Sequence, residues 1–435
     1  MLRVGDGGWR GVVGPEDAGR GAGLATWRAW MSVRLMQIVW CIVILHGILT
    51  IMSAQYHRLL DPPPGSFFLF GVRGVGKSTW ARTRLQGATR FDLLDERLHH
   101  ELLAEPGAFG DALRALPEGA TVVVDEVQRL PSLLNEVHRA IEERGQRFAL
   151  LGSSARKLKT AGTNLLAGRA LWRTLHPLTP TELGGDFDLE RVLRYGTIPL
   201  VWIDDDPGER LRAYVDLYLR EEIRAEALVR NLEGFARFLP VAGVLHAQTV
   251  SVSSLARDAG VARTTAHGYL DILEDTLLAT RLPAFEARLR VRERRHPKLY
   301  WVDPGLARAV KGQHGPLALE ERGALFEGWV LSLLRAYGEV RPLFDDIRYW
   351  ASPNVEVDFV LRRGREYVAI EVKASQRVDA RRLSGLRAIG ELEGVVRRVL
   401  VHPGRLQRVT EDGVEVWPVA TFIERLASGS LWPGG

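Results

Sequence analysis

The residues Gly71-Val72-Arg73-Gly74-Val75-Gly76-Lys77-Ser78 have the spacing G-x-x-x-x-G-K-S and follow the apolar run "FFLF" directly. Gly71, Gly74 and Gly76 let the backbone curl, so that N–H groups from Val75 to Thr79 face phosphate oxygens. Lys77 then reaches the outer phosphates and Ser78 a magnesium ion, while the next helix aims its positive end at the anion. A second stretch, "TVVVDEVQRLP" (121–131), is an apolar strand ending in Asp125-Glu126. Asp125 suits the magnesium shell, and Glu126 is placed to polarise the attacking water. Together these residues predict ATP and Mg²⁺ as cofactors and phosphoanhydride hydrolysis as the reaction.

A separate constellation lies in "VEVDFVLRRGREYVAIEVKAS" (355–375). Strand alternation sends Val355, Val357, Phe359 and Leu361 to one side and Glu356 and Asp358 to the other. Val368, Ile370 and Val372 likewise oppose Glu371 and Lys373. A two-residue turn at Gly364-Arg365 sets Asp358 across from Glu371 and Glu356 across from Lys373. The spacing D-(x)12-E-x-K resembles the PD-(D/E)xK motif of restriction-endonuclease-like phosphodiesterases, although "SPNVEVD" departs from a literal Pro-Asp pair. The amphipathic stretch "GALFEGWVLSLLRAYG" (323–338) adds Glu327, where that fold carries a helical acid. The resemblance implies Mg²⁺ at Glu327, Asp358 and Glu371, with Lys373 orienting water or stabilising charge. The bland alternative is a hairpin with cross-strand Glu/Lys pairs worth ~0.2–1 kcal/mol each. Carboxylates bracketed by β-branched core residues favour the metal site, and fold alone does not establish cutting.

The elements needed to hold the first site follow in order. Apolar strands at 67–70, at 91–96 ("FDLLDE"), from 121 to Asp125-Glu126 and from 147 to Ser153-Ser154 alternate with helical stretches, which implies a parallel sheet with helices on both faces. The phosphate loop, "DEVQRLP", "LLGSSARKL" and "LLAGRALWRTLHPLTPTEL" (165–183) together resemble a family of prokaryotic AAA-type ATPases. In that family a winged helix and a restriction-endonuclease-like domain follow the ATPase, and the likeness spans residues 54 to 425. It implies that Ser153 and Ser154 sense the γ-phosphate. Arg156 and Arg169 contact phosphate, from this or a neighbouring subunit of a homo-oligomer, or are plain surface arginines.

Between the two sites, 208–247 reads as helices of a lid region. "SVSSLARDAGVARTTAHGYLDILEDTLLATRL" (251–282) has helix-turn-helix spacing. Ser253 caps the first helix and Gly260 makes the turn. The second helix runs from Arg263 to Glu274, with Arg263, Thr264 and His267 on its exposed first turns. Arg288, Arg290, Arg292 and Arg294 fall at every second position and share one face of an extended wing, which suits DNA phosphates. Winged helices also serve as protein-binding modules, so DNA and a protein partner both stay open.

The chain has 435 residues, 46% hydrophobic and 26% charged, enough for several folded domains. Its 58 Lys and Arg against 53 Asp and Glu give +5, which permits nucleic-acid binding without demanding it. Cys41 is the one cysteine, which excludes disulfide scaffolds and cysteine-built zinc sites and fits the cytoplasm. The expected organisation has an atypical N-terminal extension over 1–53 and an AAA-type ATPase over 54–185. A helical lid follows over 186–245, a winged helix-turn-helix over 246–312 and the nuclease-like α/β domain over 313–435. "LMQIVWCIVILHGILTIMSA" (35–54) is close to the ~20 apolar residues of a membrane span. It is either an inner-membrane anchor or the product of a start upstream of Met31, Met36 or Met52.

Overall fold

The computed structural model describes residues 56–154, 156, 158, 166, 168–219, 231–285, 296–376 and 383–434. The segment 35–54 and the arginines 288, 290, 292 and 294 lie outside the described residues. Among the described residues, no helix is long and apolar enough to cross a membrane.

Strands β1 (Ser66–Phe70), β2 (Thr89–Asp92), β3 (Thr121–Asp125), β4 (Arg147–Gly152) and β5 (Ala170–Thr174) form a parallel sheet in the order β2-β3-β4-β1-β5. The near-continuous apolar sequence of the central strands β1, β3 and β4 reflects burial on both faces. Phe67, Leu69 and Leu151 pack on one side with Trp80 of helix α1 (Lys77–Arg84). Phe68, Phe70, Val122 and Leu150 pack on the other, against α2 (Glu96–Ala104), α3 (Pro106–Ala115) and α4 (Leu133–Arg144). The strand expected over 91–96 begins and ends earlier. Asp95 breaks it by turning its carboxylate onto the N–H groups of Arg97 and Leu98, which caps α2.

The middle of the chain carries α5 (Leu189–Tyr195), α6 (Pro207–Ala213) and α7 (Leu232–Val244), then β6 (Gln248–Thr249), α8 (Val252–Asp258) and α9 (Arg263–Asp275). With β7 (Ala279–Leu282) and β8 (Lys298–Trp301) they make a helix-turn-helix beside a three-stranded sheet in the order β6-β8-β7. Ser251, not Ser253, caps α8, because its side chain reaches the N–H of Ser254. Gly260 makes the turn with φ at +63°.

A buried carboxylate ties the two ends of this region together. Asp303 opens α10 (Pro304–Val310) by accepting the N–H of Leu306 at 3.0 Å, and it accepts the N–H of Thr197 at 2.6 Å. A Cβ on Gly305 would stand 2.1 Å from the carbonyl of Tyr195, so a glycine is required for that approach.

Helix α11 (Leu319–Val340) leads into a six-stranded mixed sheet of β9 (Asp346–Ser352), β10 (Val355–Arg363), β11 (Glu366–Val372), β12 (Val395–His402), β13 (Arg408–Val409) and β14 (Glu415–Pro418). Its order is β13-β14-β12-β11-β10-β9. Helices α12 (Ser384–Ile389) and α13 (Val419–Ser428) lie on opposite faces of it. β10 and β11 pair antiparallel from Arg363↔Glu366 to Phe359↔Ile370, with Gly364-Arg365 as the turn. One expectation fails here. A bulge between Val357 and Val360 shifts the pairing with β9, and Val357 packs with Val360 and Ala369 rather than with Phe359 and Leu361. An extra residue changes the phase of every side chain beyond it.

Candidate functional sites

The phosphate loop leaves β1 and closes into α1. Gly74 and Gly76 adopt left-handed backbone, with φ of 73° and 91°. At Gly71 a Cβ would meet the carbonyl oxygen of Leu175 at 2.6 Å. Val75 contributes a carbonyl that accepts from Arg58 Nη1 at 2.8 Å, which braces the loop from behind. Lys77 is only 6% exposed, and its Nζ donates to the Gly71 carbonyl at 2.9 Å. Ser78 and Thr79 are half-buried in the first turn of α1.

Opposite them, the Asp125 carboxyl is held above the usual range by burial, against a hydrogen bond from Ser78. Glu126 sits at φ 55°, unusual for a side chain other than glycine, just where β3 ends. Its carboxylate accepts from the Gln128 amide and, at 3.3 Å, from the Ser153 hydroxyl. Gln128 also donates to Ser153 Oγ at 3.0 Å, which closes a three-residue network at the ends of β3 and β4. Gln128 was not among the sequence candidates; its place two residues after Glu126 was the available signal. Ser154 is buried, and its Oγ accepts the N–H of Arg156 at 3.2 Å. Arg156 Nη1 lies 3.1 Å from Asp275 at the end of α9, and Arg169 pairs with Glu142. Both arginines are thus engaged by carboxylates of this chain.

In the C-terminal module, Asp358 Oδ2 accepts the backbone N–H of Val372 at 2.7 Å, which ties the bulged strand to its neighbour. The paired register ends at Phe359↔Ile370, one residue short of Asp358 on β10 and of Glu371 on β11. Lys373 pairs with Glu371 Oε1, while Glu371 Oε2 is buried with no hydrogen-bond partner. Burial, then the Asp358 charge, pushes the Glu371 carboxyl up to about 8. The same two causes raise Glu327 to about 7.

The centre of this acid cluster is occupied by a residue that sequence reading missed. Lys298, on β8 and 3% exposed, places Nζ 3.0 Å from Glu327 Oε1 and 3.7 Å from Asp358 Oδ1, and it also pairs with Glu356. Tyr300, two residues along the same strand, donates its hydroxyl to Glu327 Oε1 at 2.5 Å. Glu356 was expected across from Lys373, and Lys298 takes it instead. A lone lysine in "HPKLYW" carries no metal-site signature, so only tertiary structure could reveal it. Glu327, Glu356 and Asp358 gather round this ammonium, while Glu371 pairs with Lys373. Among the described residues, the one trio with ligand atoms mutually within 4.8 Å is Glu96, His99 and His100, on α2. Glu96 there is exposed and pairs with Arg129 at 2.7 Å.

On α9, Arg263, Thr264 and His267 are exposed, and His267 Nδ1 lies 3.0 Å from Asp271 Oδ2.

Comparison with known proteins matches residues 64–184 to an AAA domain family. Residues 186–317 and 322–422 match two domains of unknown function, DUF8612 and DUF4143. The uncharacterized protein Rv2008c of Mycobacterium tuberculosis is 30% identical over 383 residues, which cover 85% of this chain and 83% of that protein. The uncharacterized protein Mb2031c of Mycobacterium bovis matches to the same extent. The chain belongs to their family. Its N-terminal part is a P-loop ATPase, followed by the two further domains. Among solved structures, the Walker-type ATPase PABY2304 of Pyrococcus abyssi is 15% identical, with a TM-score of 0.38 over 56% of this chain and 90% of that one.

Proposed function

We propose that this ATPase couples its nucleotide state to a DNA-binding winged helix and a nuclease-like C-terminal module. Within the ATPase, Lys77 and the loop N–H groups from Gly74 to Thr79 bind the phosphates of ATP. Ser78 and Asp125 are already hydrogen-bonded partners at the loop, the donor set that would hold Mg²⁺, which when bound neutralises phosphate charge. Glu126 orients the attacking water, with Gln128 and Ser153 fixing its carboxylate. Ser154 supports the same strand end.

The observation that carries the nuclease-like reading is the placement of Asp358 and Glu371. They lie on adjacent antiparallel strands, with Lys373 two residues on and Glu327 supplied by a helix. The exposed first turns of α9 are the face offered to DNA, and a DNA ligand implies a cytoplasmic site of action. The test uses supercoiled and linear DNA with ATP and Mg²⁺ or Mn²⁺, comparing wild type with Asp358→Ala and Lys373→Ala. Cleavage by wild type that both variants lose supports the reading. Intact DNA in every wild-type reaction overturns it.

A second reading is a non-cutting switch, whose tail binds DNA, a protein partner or another copy of the chain. Lys298 favours it, because an internal ammonium already neutralises the acids. DNA-stimulated ATP turnover without cleavage is its expected signature.

A further inference from the structure

Lys298 belongs by sequence and pairing to the winged sheet, where β8 lies between β6 and β7. Its ammonium nevertheless ends among carboxylates of the C-terminal module: Glu327 from α11, and Glu356 and Asp358 from β10. The ammonium is buried, with Nζ 3.0 Å from Glu327 Oε1 and 3.7 Å from Asp358 Oδ1. A second cation in the same cluster would meet that ammonium at short range with little water to screen the repulsion. Glu327, Asp358 and Glu371 also do not form a trio with ligand atoms mutually within 4.8 Å, the convergence a shared ion requires. One oxygen stays open, the buried and unpartnered Oε2 of Glu371.

The geometry points to Lys298 as the resident cation of this site, with a divalent ion entering only in exchange for it. The inference rests on the nuclease-like reading of Asp358, Glu371 and Lys373, and it names what regulates that site. Exchange requires the Lys298 side chain to leave the cluster. Metal occupancy and the ion pairs from Lys298 to Glu327, Glu356 and Asp358 are therefore alternatives. Tyr300 shares Glu327 with Lys298, and Asp303 anchors the chain just beyond β8, so withdrawal of Lys298 is opposed from the same strand.

The test is Mn²⁺ titration by calorimetry of the nucleotide-free full-length protein, counting only binding that Asp358→Asn removes. That subtraction discounts other sites such as Glu96, His99 and His100. The expected result is Mn²⁺ binding at least about tenfold tighter in Lys298→Met than in wild type, with Lys298→Arg as weak as wild type. Equal Asp358-dependent affinity in wild type and Lys298→Met overturns the exchange and leaves the metal site standing. Absence of Asp358-dependent binding in every protein overturns the nuclease-like reading itself. Should Lys298→Met fail to fold, wild type answers through reductive methylation read by mass spectrometry. Lys298 is then expected to be protected without metal and modified when Mn²⁺ saturates the Asp358-dependent site. Continued protection at saturation overturns the exchange.

Discussion

Lys298 Nζ lies 3.0 Å from Glu327 Oε1 and thereby joins the central strand of the winged sheet to the helix that opens the C-terminal module. Removing one member of a buried ion pair strands the other, which costs about 3–5 kcal/mol. Lys298→Ala should therefore destabilise the fold on that scale, by leaving Glu327 and Asp358 facing each other. Adding Glu327→Gln removes one of the stranded charges, so the double variant should be more stable than the two single effects sum to, by about 1–3 kcal/mol. Urea denaturation of the four proteins measures this coupling. Strict additivity would mean that the pair adds no coupling to stability.

The network at the ends of β3 and β4 predicts a graded loss of ATP turnover. Lys77→Ala should lose nucleotide binding, since in the proposed site it removes the cation that meets the outer phosphates. Glu126→Gln should retain ATP and slow hydrolysis by about 100-fold or more, the usual contribution of a positioned base. Gln128→Ala frees the Glu126 carboxylate without touching phosphate, so kcat should drop while KM for ATP stays near wild type. Steady-state phosphate release decides, and a wild-type kcat in Glu126→Gln would remove that residue from the hydrolytic machinery.

The short helix Pro199–Trp202, which carries Leu200, reaches the phosphate loop directly. The Leu200 N–H donates to the Gly74 carbonyl at 3.1 Å, and a Cβ on Gly74 would lie 2.7 Å from Leu200 Cβ. Gly74→Ala should weaken ATP binding for two separable reasons: left-handed backbone strain at φ 73° and collision with Leu200. Leu200→Ala does not remove Cβ, so the paired Gly74→Ala/Leu200→Gly protein should recover only the collision part. Equilibrium binding of a fluorescent ATP analogue reads both effects, and complete recovery would show that strain contributes nothing.

What was readable beforehand follows the range over which each signal acts. The phosphate loop, the strand ending in Asp125-Glu126 and the Gly364-Arg365 turn depend on a few neighbouring residues, and the sequence states them. The Asp95 cap and the Val357–Val360 bulge are also local, but they compete with alternation and propensity, so pattern reading extended one strand too far and put Val357 on the wrong face. Lys298 lies 29 residues before Glu327 and 60 before Asp358 in the chain, and nothing near it in sequence marks an acid partner. Its position is set by how β8 lies against α11 and β10. Gln128 falls between these cases: it was inside the segment being read, but its role depends on Ser153 from another strand.

His246 gives the fold a pH dependence of definite sign. The ring is 1% exposed, its Nδ1 accepts the Trp301 N–H at 3.1 Å, and a Cβ on Gly328 would meet Nε2 at 2.2 Å. Burial pushes its pKa from 6.5 down to about 3, so the folded chain holds it neutral. Between those values the unfolded chain binds a proton that the folded chain refuses, and stability is lost as the pH falls. At pH 5 the loss from this ring is about 2 kcal/mol, using 1.36 kcal/mol for each pH unit below the unfolded value. His246→Gln keeps an acceptor but cannot titrate, so it should lower stability at pH 7 and flatten its fall between pH 7 and pH 5. Urea midpoints at the two pH values make the comparison, and an equal drop in both proteins would assign the acid sensitivity to other groups.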